Sequence, residues 1–509
     1  MKTLRTLVEN LVHKTVDGTL DLPVTGIAYH SKRVMPGNLF ACLEGTRGQG
    51  ESYASEAVAA GAVAIMSAGG DAFPGVTTVR VPDVRLALAL LAAEYFDYPS
   101  RQLILTGVTG TNGKTTTTHL IDALLRDCGA VTGLIGTVHY LIGGREYPVW
   151  ATTPEANDLQ GLLREMCDCG ATHATMEVSS HALALYRTVG CDFDTVVLTN
   201  ITEDHLDFHK TFSHYLGAKS KLFSWLGSAQ RKGSRLRRAI INGDDRHYLH
   251  IVDQVPGESL LYGLSPHCHV RAENINVSRE GVGFTAITPA GVLPLHLKLT
   301  GLFSVYNSLA AVSYGLLEGM DPERIGAVLE GVDGVPGRFE LIDEGQDFTV
   351  IVDYAHTPDG LENVLRAVRE FAKRRVITVF GCGGERDRGK RPLMGEVAAN
   401  YSDYCLVTSD NPRGEDPDQI IKEILPGLTR GRCKSSFEVI PDRFLAIERA
   451  LVLAEAEDVV IITGKGHETQ QIFKDHIIPF DDRKVVREMI RRQKSYGNEL
   501  QGDSGGGRG

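Results

Sequence analysis

The stretch GVTGTNGKTT, Gly107 to Thr116, follows the apolar run LILT and opens a segment whose apolar residues recur at helical spacing. A strand that breaks into glycines and then starts a helix turns unpaired backbone N–H groups, and the positive end of the helix dipole, toward phosphate oxygens. Gly110, Thr111, Asn112, Gly113, Lys114, Thr115 and Thr116 are therefore candidate nucleotide ligands. Lys114 would neutralise the β and γ phosphates, and Thr115 would hold Mg²⁺. The register departs from the Walker A pattern, which wants glycine where Val108 stands; glycine appears instead at Gly107 and Gly110. A purely structural glycine turn would not need the Lys-Thr-Thr run that follows. The reading is an ATP-consuming enzyme whose phosphate acceptor the loop alone does not name.

Outward from the loop, Leu120, Ile121, Leu124 and Leu125 form one helix face, and Gly129 is its stop. Apolar strands follow at HATMEVSS, DTVVLTNI and RAIING. From Gly337 onward four segments share one design: FTVIVDYAHTP, RVITVFGCGGERD, YCLVTSDNPR and DVVIITGKGHE each run as a buried strand and break into polar or glycine-rich residues. In open parallel sheets ligands lie beyond the carboxyl ends of the strands, so these loops should line one cleft. The fold class expected is α/β with three domains: a small α/β unit over 1–98, a central P-loop-type ATPase-like domain over 99–336, and a Rossmann-like domain over 337–496. Pro99-Ser100 reads as a linker, and 497–509 as a disordered tail with nothing apolar to bury.

The 509 residues are enough for about three domains, and 42% hydrophobic with 23% charged residues is ordinary globular composition. No apolar run approaches the ~18 residues of a membrane span and the N-terminus lacks a secretory core, so no membrane association and a cytoplasmic place are expected. Lys+Arg 53 against Asp+Glu 64 gives a net charge of -11, which repels polyanions and argues against nucleic acid as a partner. The basic run RKGSRLRR, 231–238, reads as a solvated connection. The nine scattered cysteines read as reduced thiols, with neither a zinc site nor a disulfide framework.

Seven further segments carry a resemblance: TTPE (Thr152 to Glu155), EVSSHAL (Glu177 to Leu183), DHLDFH (Asp204 to His209), DYAHTPD (Asp353 to Asp359), GCGGERDRGKRP (Gly381 to Pro392), DNPR (Asp410 to Arg413) and GKGHE (Gly464 to Glu468). With GTNGKTT they resemble the Mur ligases, and within them the branch that adds the third residue of the peptidoglycan stem peptide. The resemblance runs from about Ser31 to Arg483. It implies that ATP phosphorylates the D-glutamate side chain of UDP-N-acetylmuramoyl-L-alanyl-D-glutamate, and that an amine then displaces phosphate from the acyl phosphate. Such chemistry depends on positioning and charge neutralisation between anions.

The same resemblance implies the site. Glu177 and His205 would be Mg²⁺ ligands, with His181 and His209 either beside them or merely structural. Lys219 would be carbamylated and so turned from a cation into an anion; Lys221 would point elsewhere. Thr152, Thr153, Ser179 and Arg187 would hold the muramoyl dipeptide, and Ser31 the uridine end, where His30 and Lys32 alter the usual motif and leave Arg33 without a clear role. Asn307, Arg338, Asp353 and His356 would contact ATP, although a strand-end Asp such as Asp353 also serves as a backbone cap. Arg386, Asp410, Asn411, Arg413, Gly464 and Glu468 would bind the incoming amino acid. Arg413 favours meso-diaminopimelate, because a lysine in its place leaves buried cationic donors unpaired. Lysine or folate ligation, and a nucleotide switch, are the alternatives; a switch would carry a Walker B Asp where the strands here end in Glu177 and Asn200. A monomer is expected.

Overall fold

The computed structural model describes residues 2–44, 50–70, 72–227, 236–431 and 436–502, with side chains to 494. Three sheets dominate these residues. The strand Ile104–Thr109, which leads into the phosphate loop, is buried along almost its whole length. It lies between the parallel strands His173–Glu177 and Thr195–Leu198. Flanking strands whose side chains are buried on both faces read as continuous apolar runs, because helices cover both sides of such a sheet. On one side the sheet continues through Thr132–Ile135 to a short hairpin; on the other it continues through Arg238–Asn242 and Glu258–Gly263 to three long strands ending at Leu297. The helix Lys114–Asp127 packs Leu120, Ile121, Leu124 and Leu125 into the core and ends before Gly129.

The second sheet runs in the order Glu340–Ile342, Thr349–Asp353, Val459–Thr463, Val376–Phe380, Tyr404–Val407, Ser436–Val439. All but the first strand are parallel. The carboxyl ends of its four central strands are thus brought side by side. A third, five-stranded sheet uses residues 15–80. The molecule is a three-domain α/β protein, and no helix among the described residues is long and apolar enough to cross a membrane.

Three expectations change. Pro99 and Ser100 are buried in a short helical turn, and the Ser100 hydroxyl accepts from Asp192 N at 3.0 Å, so this connection is packed and not a loose linker. The final helix, Asp482–Gly502, carries regular structure through part of the stretch expected to be disordered, since extending a formed helix costs far less than starting one; 503–509 lie outside the described residues. Of the basic run, 231–235 also lie outside them, while Arg237 pairs with Asp192 at 2.7 Å and Arg238 donates to Leu317 O at 2.7 Å, so its end is tied down. The eight described cysteines are free thiols.

The last helix is anchored by an ion pair in the core. Arg443 and Asp482 are both fully buried and meet in a two-pronged contact of 2.8 and 2.7 Å, while Arg443 also donates to Thr463 O at 2.9 Å. Breaking a buried pair leaves an uncompensated charge. Asp482→Ala is expected to cost about 3–5 kcal/mol, read as a lower midpoint in chemical denaturation; a midpoint unchanged within error would show that the pair contributes nothing.

Candidate active site

The loop after Ile104–Thr109 shows why its glycines stand where they do. At Gly110 a Cβ would lie 1.8 Å from Thr199 Oγ1, and Gly113 has φ +84° with Asn307 Oδ1 2.3 Å from where a Cβ would be. The first allows strand and loop to touch; the second lets the backbone turn into the helix with Asn307 against it. Lys114 Nζ donates to Gly110 O at 3.0 Å and Thr111 O at 2.8 Å. From the helix Phe212–Ser224, fully buried Lys219 donates to the same Gly110 O at 2.7 Å, whereas Lys221 lies over the Tyr186 ring. Burial lowers the pKa of both Lys114 and Lys219, and for Lys219 the neighbouring Lys114 cation lowers it further.

The loop faces a cavity of ≈ 1150 Å³ between the central domain and the C-terminal sheet. Every site residue read from the sequence lines it except Gly110 and Lys219, which stand directly behind its wall, and Ser31. Ser31 is buried at the start of a turn in the N-terminal domain, which docks on the central domain where Asn157 donates to Ile27 O at 3.1 Å. Nothing in the structure brings Ser31 to this cavity.

Glu177 is fully buried at its strand end, and its two carboxylate oxygens accept from Thr137 N at 2.7 Å and Thr137 Oγ1 at 3.0 Å. His205, in a left-handed conformation at φ +56°, sits 3.3 Å from Asp204 and 4.6 Å, ring to ring, from His181. Burial pushes His205 down to about 3 and also lowers His181. His209 is buried and lies 3.0 Å from Ser180 Oγ, which gives it a packing role. The Asp204 carboxyl is itself held low: burial, which would raise it, is outweighed by the neighbouring His205 and His356 rings, the Lys390 cation and the His205 backbone N–H.

Asp353 lines the cavity and also caps backbone. Its oxygens accept from Phe339 N at 2.6 Å and Ala355 N at 2.7 Å. Arg338 stacks 4.3 Å over the Tyr354 ring and donates to Thr115 Oγ1 at 3.0 Å, joining the C-terminal domain to the phosphate loop. His356 is pushed down to about 4 by burial and by Lys390, whose ammonium donates to His356 O at 2.8 Å. Thr152 accepts from Thr137 Oγ1 at 3.1 Å, and Ser179 caps a short helix. Arg187 donates to Thr153 O at 3.0 Å and pairs with Glu155 at 2.6 Å, so Glu155 already holds the guanidinium expected to meet substrate.

Across the cavity the DNPR and GKGHE loops interlock. Arg413, at φ +51°, donates to Gly384 O at 2.7 Å. Burial lowers its pKa, and so does Arg386, a second guanidinium in the same space. Like charges are gathered this way where an anion is to be received. Asn411 Nδ2 donates to Glu468 Oε2 at 2.7 Å, and fully buried Lys465 donates to the same oxygen at 2.9 Å. Gly464 makes room for Asp410, whose Oδ2 would lie 2.4 Å from a Cβ there.

Sequence reading passed over four residues. Asp204, Asp359, Lys390 and Lys465 stand inside motifs quoted for their neighbours. Asp359 accepts from Asn112 Nδ2 at 2.6 Å and Thr202 Oγ1 at 3.1 Å, a direct tie from the phosphate loop to the C-terminal domain.

The sequence matches three families: Mur ligase family, catalytic domain, over residues 23–96; Mur ligase middle domain over 108–315; and Mur ligase, glutamate ligase domain, over 337–466. It is 47% identical over 490 residues to UDP-N-acetylmuramoyl-L-alanyl-D-glutamate--2,6-diaminopimelate ligase of Syntrophomonas wolfei, covering 95% of this chain and 98% of that one. A solved structure of a ligase with that same name is 31% identical, covers 97% of this chain and 99% of its own, and superposes with a TM-score of 0.66. MurF ligase from Thermotoga maritima, solved in complex with ADP, is 18% identical and covers 93% of this chain and 98% of its own, with a TM-score of 0.61; it shares the fold.

Proposed function

The chain belongs to the Mur ligase family, and from that premise we propose that it joins meso-diaminopimelate to UDP-N-acetylmuramoyl-L-alanyl-D-glutamate at the expense of ATP. The observation that carries the choice of amino acid is the half-buried Arg413 with exposed Arg386 beside it, both at Gly383 and both lining the cavity that holds the phosphate loop. Diaminopimelate differs from lysine by one carboxylate and its stereocentre, and two guanidiniums are suited to that anion. Glu468 suits the distal ammonium.

The γ-phosphoryl group of ATP passes to the D-glutamate side-chain carboxylate, ADP leaves, and the amine attacks the acyl phosphate carbon. The tetrahedral adduct then expels phosphate as the amide forms. Lys114 is within reach of the phosphates that part, and Arg187 and Ser179 orient the dipeptide. Uncharged at neutral pH, His205 and His356 add no repulsion to an incoming cation. Mg²⁺ fits the oxygen donors at hand: Glu177 is a buried carboxylate whose only hydrogen-bond donors come from Thr137, and the Thr115 hydroxyl and His205 face the same cavity. When bound, the ion would screen the negative charges of phosphate and carboxylate from one another. We assign 1–98, 99–336 and 337–496 to nucleotide-sugar binding, ATP binding and amino-acid binding, in a cytoplasmic monomer.

ADP release measured with the UDP-muramoyl dipeptide and each candidate amino acid tests this reading. Turnover with meso-diaminopimelate is expected; turnover with lysine alone, or without any amino acid, overturns it. The lowered pKa of Lys219 leaves a neutral amine able to add to carbon dioxide. If it is a carbamate in the working enzyme, Lys219→Ala should lose activity about 100-fold and regain part of it with added short carboxylates. Activity equal to the parent would remove Lys219 from the mechanism.

A further inference from the structure

Behind the nucleotide cavity, Asp244, His267 and Cys268 present a carboxylate, an imidazole and a thiol whose ligand atoms all lie within 4.8 Å of one another. They come from the turns that follow two neighbouring parallel strands, Arg238–Asn242 and Glu258–Gly263. Asp244 is fixed in place: Oδ2 accepts from Leu264 N at 2.5 Å and Tyr306 OH at 2.9 Å, and Oδ1 from Ser265 N at 3.2 Å. Cys268 is buried, while His267 is exposed, stacked 5.3 Å from Tyr248, with Nε2 3.0 Å from Gly243 O.

Two glycines border the space between these groups. A Cβ at Gly243 would stand 2.7 Å from Cys268 Sγ and 3.2 Å from His267 Nε2, and one at Gly263 would stand 2.5 Å from Asp244 Oδ2 and 3.1 Å from Cys268 Sγ. Any larger residue at either position would fill the gap that the three donors share.

We propose that Asp244, His267 and Cys268 form a binding site for a thiophilic divalent cation of the Zn²⁺ type. Thiolate, imidazole and carboxylate together are the donor set that zinc selects over magnesium, and three protein ligands leave a fourth position to water. Zinc bonds of about 2.0–2.3 Å place tetrahedral donors roughly 3.3–3.7 Å apart, so the donors close by about 1 Å. His267 is exposed, and its ring makes that movement by leaving Gly243 O. On binding, the S–H bond of Cys268 breaks, its proton passes to solvent and a sulfur–metal bond forms, while His267 Nε2 gives up its hydrogen bond to Gly243 O, the ring proton moves through solvent to Nδ1, and the Nε2 lone pair meets the metal. Burial and Asp244 push the thiol up to about 11, so affinity rises with pH. Sequence spacing gave no sign of the site, because its donors sit on two separate turns.

The site communicates with the nucleotide cavity through Tyr306, which lines that cavity and donates to Asp244. A cation drawing on Asp244 Oδ2 competes with this hydrogen bond. Tyr306 precedes Asn307, an expected ATP contact, so releasing its hydroxyl is expected to disturb that wall and raise KM for ATP, by about threefold to tenfold if the disturbance costs one hydrogen bond.

The test is a titration of the full-length, nucleotide-free protein with Co²⁺, the spectroscopic stand-in for Zn²⁺. One equivalent of thiolate-to-cobalt absorption is expected. It should vanish in Cys268→Ser, and His267→Ala, at an exposed position, should weaken binding at least tenfold. No band in the parent protein, a band that persists in Cys268→Ser, or unchanged affinity in His267→Ala overturns the site. With Mg²⁺ saturating, added Zn²⁺ should raise KM for ATP in the parent and not in His267→Ala; an equal rise in both overturns the coupling.

Discussion

Replacing Lys114 by alanine should lower ADP release about 10³-fold. The side chain leaves the first turn of the helix that begins at the phosphate loop, is half-buried, and rests against Gly110 O and Thr111 O. From there its ammonium can turn to a phosphate bound on the loop's N–H groups. Its charge is needed most as negative charge builds on the oxygens of the parting phosphoryl group. Cations and preorganised donors at such points contribute about 10²- to 10⁵-fold to rate. Trapping the acyl phosphate in single turnover separates this loss from slow product release: the variant should form almost none. Lys114→Ala with the parent's activity would remove the loop from the chemistry.

The second large effect is one of selectivity. Arg413→Ala should raise KM for meso-diaminopimelate about 100-fold while leaving the weak reaction with lysine unchanged. Its guanidinium is braced by Gly384 O and sits beside Arg386, which makes it costly to bury without an anion. A charge-assisted, two-pronged contact with a carboxylate is worth about 1.5–3 kcal/mol, and a site built for such a contact rejects the analogue that lacks it. The measurement is the ratio of kcat/KM for the two amino acids. A ratio that does not move would show that the carboxylate by which diaminopimelate differs from lysine is read elsewhere.

The central loop and the strand-end motifs were legible because their signals are local. A glycine that lets the chain touch Thr199, and a Lys-Thr-Thr at a helix start, are both written in consecutive residues. Contacts that join distant segments were not. Asp359 meets Asn112 across 247 positions, and Lys390 reaches His356 O from another strand-end loop. Asp204 was hidden by its neighbour His205, which has the more conspicuous side chain. Asp353 shows a different limit: a strand-end carboxylate reads the same whether it contacts ligand or backbone, and this one lines the cavity while holding the N–H groups of Phe339 and Ala355. Nor could sequence tell that Glu468 already has Lys465 and Asn411 on one oxygen. Arg187, expected to hold the dipeptide, is paired with Glu155, a contact the sequence did not announce, so substrate must compete for it or share it.

The carbonyl of Gly110, which accepts from the side-chain nitrogens of both Lys114 and Lys219, has a consequence for discrimination among nucleotides. A nucleotide that draws the Lys114 ammonium onto its phosphates must outbid two peptide oxygens. A triphosphate is expected to do so more readily than adenosine or AMP, which bring less charge to the loop. The loop thus sorts its visitors by the strength of their grip as well as by their outline, and an inhibitor aimed at it must match that grip.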